Sequence, residues 1–246
     1  MVKKKTIYDI FIIGGGVNGC GIARDAAGRG LKVCLAEMND LGSGTSSAST
    51  KLIHGGLRYL RYFDFRLVRE SLKEREVLLK IMPHICWPMR FILPFPKKIL
   101  QRILIRLGLY IYDNLGGRTI LPGTKSIGLK NSNIGSVLKN NFSSALVFSD
   151  CWVEDSRLVI LNAVDAQKRG GQILTHTKVM GVKRDKNCWK IFTKDSAGTV
   201  KEFYSYSIVN AAGPWVNTFS DKGSKGEVPI KLVKGSHIVV KKMFDH

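Results

Sequence analysis

Two groups of residues in this sequence have types and spacings suited to chemistry. The first is Gly14-x-Gly16-x-x-Gly19 followed by Glu37. Glycines at that spacing allow a tight turn, a diphosphate lying against the backbone, and a helix packed closely on a strand. A carboxylate about 20 residues on can accept hydrogen bonds from both hydroxyls of a ribose. The second group is His54 with Arg58. An imidazole titrates near neutral pH and suits a base that takes a hydroxyl proton. A guanidinium grips a phosphate through paired N–H donors. Four residues apart, the two share a face if the stretch is helical. Each group also has a plain structural reading: a glycine turn with Glu37 in solvent, a packing histidine beside Gly55-Gly56, and Arg58 paired with a surface acid.

The elements that must position these residues follow from apolar patterning. Residues 8–13 form a short apolar run closed by Gly14-Gly15-Gly16, as in a strand buried on both faces of a parallel sheet. A helix is expected over 18–27 and a second buried strand over 31–37, together a right-handed βαβ unit. An acidic Glu37 disfavours NADP and leaves NAD and FAD. The hydroxyl-rich run 42–51 and an apolar strand at 207–211 entering Gly213-Pro214-Trp215 favour FAD, because a nicotinamide enzyme needs neither. By composition alone, 42–51 would be a flexible linker. Helical spacing marks 65–81, with Glu76 and Lys80 as an i,i+4 pair and Pro83 as the stop. Residues 88–124 turn basic and rich in leucine and isoleucine. There Ile99, Leu100, Ile103, Leu104 and Leu107 share one helical face, fit either for a core or for a membrane interface. Residues 125–141 are polar and turn-rich. A capped helix is expected from 155 or 156 to 168, then short strands over 172–176, 178–184, 188–193 and 200–205.

Composition bounds the rest. The 246 residues, 44% hydrophobic and 9% aromatic, suffice for a folded core. Lysine and arginine number 39 against 19 acidic residues, a formal charge of +20 that attracts phosphates, anionic lipid or nucleic acid without choosing among them. The cysteines Cys20, Cys34, Cys86, Cys151 and Cys188 form no CxxC pair, which suggests neither a disulfide framework nor a zinc site, and no metal is expected. A reducing cytosolic compartment fits them best. The basic start runs into a strand rather than a signal peptide, and no uninterrupted apolar stretch is long enough to span a membrane.

Five segments, in order, resemble the FAD-dependent glycerol-3-phosphate dehydrogenases. They are 9–30, opening Asp-Ile-Phe-Ile-Ile-Gly-Gly-Gly; Thr45-Ser-Ser-Ala-Ser-Thr-Lys-Leu-Ile-His-Gly-Gly-Leu-Arg-Tyr-Leu60; Ser149-Asp-Cys-Trp-Val-Glu-Asp-Ser-Arg-Leu158; Val209-Asn-Ala-Ala-Gly-Pro-Trp-Val216; and Val233-Lys-Gly-Ser-His-Ile-Val-Val240. The second segment is the most specific. The resemblance implies an α/β fold: a Rossmann-like FAD-binding domain of the glutathione-reductase/D-amino-acid-oxidase type, with the beginning of a β-rich substrate domain. It assigns residues 1–90 and 145–220 to the FAD-binding domain, and 91–144 with 221–246 to an insertion and the start of the substrate or cap domain. It also replaces the linker reading of 42–51, since family members lay that segment along the FAD.

Carried onto this sequence, Gly14, Gly16, Gly19 and Glu37 would hold the ADP half of FAD, and Thr45, Ser46, Ser47, Ser49 and Lys51 would line the diphosphate and flavin. Val179 would meet the adenine, and Gly213 and Trp215 would close on the cofactor. His54 and Arg58 would be catalytic, with Arg58, Tyr59 and His237 at the substrate. The implied enzyme of glycerol metabolism oxidises sn-glycerol 3-phosphate to dihydroxyacetone phosphate and passes electrons to quinone. It would sit peripherally on the anionic cytoplasmic face of the inner membrane. Ala212 stands where relatives commonly have threonine.

Family members run on for roughly as much again. A truncated or split chain is therefore expected, completed by a second chain carrying the C-terminal half, or else an inactive cytoplasmic FAD-binding fragment. The nearer rival is another flavin amine or amino-acid oxidase. A basic nucleic-acid-binding protein is the rival from another class, but the sequence has no zinc spacing and no RNP-like strand, so no nucleic acid is expected as a partner.

Overall fold

The computed structural model describes residues 5–96, 98–117, 119–130, 132–138, 142–219, 231–233 and 235–242. They divide into two compact units, one of residues 1–49 with 155–237 and one of 50–154 with 238–246.

In the first unit β1 (Ile7–Ile13), α1 (Val17–Gly28) and β2 (Val33–Ala36) form the expected βαβ unit, with β1 and β2 parallel and Ile13 paired with Ala36. Its six-stranded sheet has the order β7-β2-β1-β10-β9-β8. The strands added are β7 (Gln172–Leu174), β8 (Thr177–Asp185), β9 (Cys188–Asp195) and β10 (Val200–Asn210). The runs expected separately at 200–205 and 207–211 are one strand, parallel to β1 over 204–210 and antiparallel to β9 over 200–205.

The alternation of β1 explains its burial on both faces. Ile12 packs with Cys20, Ala23 and Ala27 of α1 and with Val159 and Ala163 of α4 (Asp155–Lys168), while Phe11 and Ile13 pack with Val179 and Ile191. The alanines let α1 and α4 lie close together over the sheet.

The second unit is built on an antiparallel sheet that the sequence did not announce. In it β6 (Ser144–Val153) pairs with β3 (Leu52–Ile53), β4 (Cys86–Pro94) and β5 (Lys125–Gly128). The domain boundaries expected at 90 and 145 differ from this grouping, because the backbone partners of 144–153 lie on 52–53, 86–94 and 125–128. Residues 50–90 and 145–154 therefore go with 91–144. Helices α2 (Phe65–Ile81) and α3 (Ile99–Leu115) cover the sheet through Val68, Leu72, Leu109 and Tyr112.

Two helix expectations change. Glu76 does not serve as a surface partner of Lys80: it is buried and accepts hydrogen bonds from the backbone N–H groups of Thr119 (3.1 Å) and Ile120 (3.0 Å) and from the Thr119 hydroxyl (3.0 Å). On α3 the face of Ile99, Leu100, Ile103, Leu104 and Leu107 is exposed, and the helix buries Leu109 and Tyr112 instead. Among the described residues no helix is long and apolar enough to cross a membrane.

Candidate active site: a dinucleotide cleft and a basic pocket

Strand β1 lies between β2 and β10, and a cleft of about 850 Å³ opens at the C-terminal ends of the three, where Ile13, Ala36 and Ala211 all line it. The C-terminal edge of a parallel sheet is where open α/β folds bind ligands. Gly14 makes the turn out of β1 at φ +109, and a Cβ there would stand 2.4 Å from the Ala211 carbonyl oxygen. A side chain at Gly19 would meet the Gly14 carbonyl at 1.9 Å, so that glycine serves helix packing and does not line the cleft. The Glu37 carboxylate accepts hydrogen bonds from the N–H groups of Gly15 (2.7 Å) and Asn39 (2.8 Å), which fix it at the rim. Ser46 accepts from the Val17 N–H at 2.9 Å and ties the hydroxyl-rich segment to the start of α1.

Of the residues expected around a cofactor, Gly14, Gly16, Glu37, Thr45, Ser46, Val179, Gly213 and Trp215 all line this cleft. Ser47, Ser49 and Lys51 do not. The Ser47 hydroxyl donates to the Gly44 carbonyl at 3.3 Å, and that of Ser49 to Asp155 at 2.7 Å. Lys51 has φ +56, and its carbonyl accepts from the Val153 N–H. Residues the sequence reading did not single out, among them Met38, Ser43, Lys178 and Ala211, complete the lining.

A smaller pocket of about 450 Å³ lies wholly in the second unit. His54, Arg58 and Tyr59 line it together with Phe91, Phe148 and Asp150. The condition on which His54 and Arg58 would share a helical face is not met. His54 precedes Gly55 and Gly56, the latter at φ +71, and a 3-10 turn begins only at Leu57 (Leu57–Tyr62). The two side chains reach one pocket through a bend, not along a helical face. His237 is exposed and lines neither cavity.

Asp150, only 5% exposed, is the polar residue of the pocket that sequence reasoning missed. Arg75 donates to its Oδ1 at 2.6 Å, and the Tyr112 hydroxyl lies 2.8 Å from Oδ1 and 3.0 Å from Oδ2. Burial pushes the Asp150 carboxyl up from its ordinary value, opposed by Arg75, Tyr112 and the charge of His54. Burial and then Asp150 push the Tyr112 phenol up, so it keeps its hydrogen at neutral pH. One signal was available: a lone acid in the otherwise apolar run Ala145-Leu-Val-Phe-Ser-Asp150-Cys-Trp-Val.

Over residues 9–246 the chain matches the family described as DAO, FAD dependent oxidoreductase. It belongs to that family. It is 52% identical over 242 residues to D-erythritol 1-phosphate dehydrogenase of Brucella abortus, covering 96% of this chain and 48% of the relative. It is 50% identical over 235 residues to aerobic glycerol-3-phosphate dehydrogenase of Escherichia coli, covering 94% and 46%. Among solved structures, a glycerol-3-phosphate dehydrogenase from Bacillus halodurans complexed with FAD superposes with TM-score 0.60 at 30% identity, over 89% of this chain and 36% of that one. The chain thus spans about half the length of the curated relatives it matches.

The fold is the mixed α/β architecture of the FAD-binding superfamily, with an additional β-rich region. FAD is the cofactor of this family, and the cleft fits it. The close approach at Gly14 leaves backbone where a diphosphate must lie, no acidic residue occupies the first turn of α1, and Glu37 is held at the rim where a ribose would need an acceptor.

Proposed function

We propose that this chain forms the FAD-binding part of an enzyme that oxidises sn-glycerol 3-phosphate to dihydroxyacetone phosphate. The observation that carries the reading is the gathering of His54, Arg58 and Tyr59 around one pocket, in a chain half identical to dehydrogenases of phosphorylated polyols. Bound FAD supplies the two-electron acceptor for the hydride leaving the alcohol carbon. The chain's own residues do the remainder. His54 takes the hydroxyl proton, Arg58 holds the phosphate dianion through paired N–H donors, and Tyr59 offers a hydroxyl beside it. In the cleft, Gly14, Gly16 and Glu37 orient the ADP half, with Thr45 and Ser46 along the diphosphate. Ser47, Ser49, Lys51 and His237 belong to this reading only by resemblance.

Electron transfer to quinone and attachment to a membrane are the finer part of the proposal. The exposed apolar face of α3 supports them: Ile99 is 73% and Leu100 65% exposed, and Lys98 and Arg106 lie close by. Such a helix can lie in the interface of an anionic bilayer, where a quinone is met. A C-terminal half on a second chain belongs to the same proposal.

Purified protein loaded with FAD, alone and mixed with a polypeptide encoded immediately downstream, should lose its visible flavin absorption anaerobically on adding glycerol 3-phosphate. D-erythritol 1-phosphate is the second substrate to try, since the Brucella relative carries that name. Bleaching by glycine or other amines, with neither polyol phosphate acting, would replace the reading with an amine oxidase.

A further inference from the structure

Three residues far apart in sequence converge behind His54, and their hydrogen bonds have a direction. Gly55, next to His54, is packed so tightly that a Cβ would stand 2.3 Å from Leu72 Cδ2 and 2.9 Å from Tyr112 Cε2. That approach brings its N–H to the Tyr112 hydroxyl at 2.7 Å. A backbone N–H can only donate, so Tyr112 Oη accepts there, and its single hydrogen is left for Asp150 at 2.8 Å. Arg75 completes the set by donating to the same carboxylate at 2.6 Å. The chain therefore runs one way, from the Gly55 N–H through the Tyr112 hydroxyl to the Asp150 carboxylate. Replacing either acceptor breaks it.

The cluster makes poor sense as a device for stability. It buries Arg75, Glu76 and Asp150 together and leaves the Arg75 Nε without a hydrogen-bond partner, where apolar side chains of the same volume would serve a core as well. Arg75 pairs with Asp150 and Glu76 is turned toward Thr119 and Ile120, so the carboxylate that lines the pocket entered by His54 is the one held by Arg75 and Tyr112.

We propose that Asp150 and Tyr112 are positioning residues for His54. Through Gly55 they fix the peptide that presents the imidazole at the pocket where His54 takes the substrate's hydroxyl proton. This rests on the reading of His54 as the base. The other charged or titratable groups lining the pocket are Arg58, Tyr59 and Tyr62. Arg75 of α2 and Tyr112 of α3 reach Asp150 from outside the lining, while Arg90 of β4 is held by the carbonyls of Pro122 and Val147.

The test follows the Gly55 amide by NMR in the full chain, with kinetics normalised to bound flavin beside it. Asp150→Asn is expected to lower kcat by about 10- to 100-fold with KM little changed, since a displaced base costs chemistry rather than uniform binding. Tyr112→Phe leaves the charge in place and removes the acceptor of the Gly55 N–H. It should speed Gly55 amide exchange by about tenfold or more, as expected for a lost hydrogen bond. If Asp150→Asn does not fold, Asp150→Glu should retain most of the wild-type kcat and Tyr112→Phe decides the rest. A kcat unmoved in Asp150→Asn, or Gly55 exchange unchanged in Tyr112→Phe, overturns the proposal. Wild-type turnover in His54→Ala would instead remove the base assignment beneath it, whatever the NMR shows.

Discussion

His54 and Arg58 divide the proposed work between a proton and an anion, so their removal should appear in different constants. His54→Ala is expected to lower kcat by about 10²–10⁴-fold with flavin content unchanged, the usual weight of a general base, and Arg58→Ala to raise chiefly KM for the phosphorylated substrate. Steady-state kinetics normalised to bound flavin checks both, and equal turnover in wild type and His54→Ala removes the base. The glycine motif and Glu37 could be read because a dinucleotide turn is local: its chemistry is written at fixed spacings within one βαβ unit, whereas Ser46 was reached only by resemblance. The support behind His54 was not legible. Tyr112 lies 57 residues from Gly55 and 38 from Asp150, and Arg75 lies 75 from Asp150, separations that only the folded sheet brings together.

Among the elements, α1, α2 and α4 match their expected spans because amphipathic spacing and terminal glycines act locally. The sheet of β3 to β6 escaped because Pro88 and Pro94 in β4 read as breakers. β4 is an edge strand bonded only to β6, and prolines are tolerated at an edge. The exposed face of α3 leads to a prediction of its own. Ile103→Asp and Leu107→Asp should abolish co-flotation with anionic phospholipid vesicles while changing stability by no more than about 0.5 kcal/mol, as for surface substitutions generally. Retained flotation would return that face to some other use.

Glu76 on α2 makes the acid side of stability predictable. Backbone hydrogen bonds from Ile120 and Thr119 outweigh its burial and hold its carboxyl below the usual carboxylate value of 4.5. With the folded value depressed, its contribution is complete above the unfolded value and is lost as pH falls through the folded one. Melting temperatures measured downward from pH 5 should therefore fall less steeply in Glu76→Gln than in wild type. That variant should start lower by about 1–3 kcal/mol, the cost of buried N–H donors left poorly paired.

At the scale of the molecule, a formal charge of +20 and an exposed apolar helix act in the same direction on an anionic surface, so vesicle binding should weaken as salt rises. The chain covers 48% of the Brucella relative and 46% of the Escherichia coli one, and the two cavities described are each formed within a single unit. The cleft of the first unit carries the central claim, that this chain holds FAD through its Gly14 turn. The most direct measurement is a calorimetric titration of the purified chain with FAD beside the same titration of Gly14→Val, whose side chain meets the Ala211 carbonyl at a strained φ. One saturable site is expected in wild type and none in the variant. No saturable binding to the wild-type chain, or equal binding to both, would contradict it.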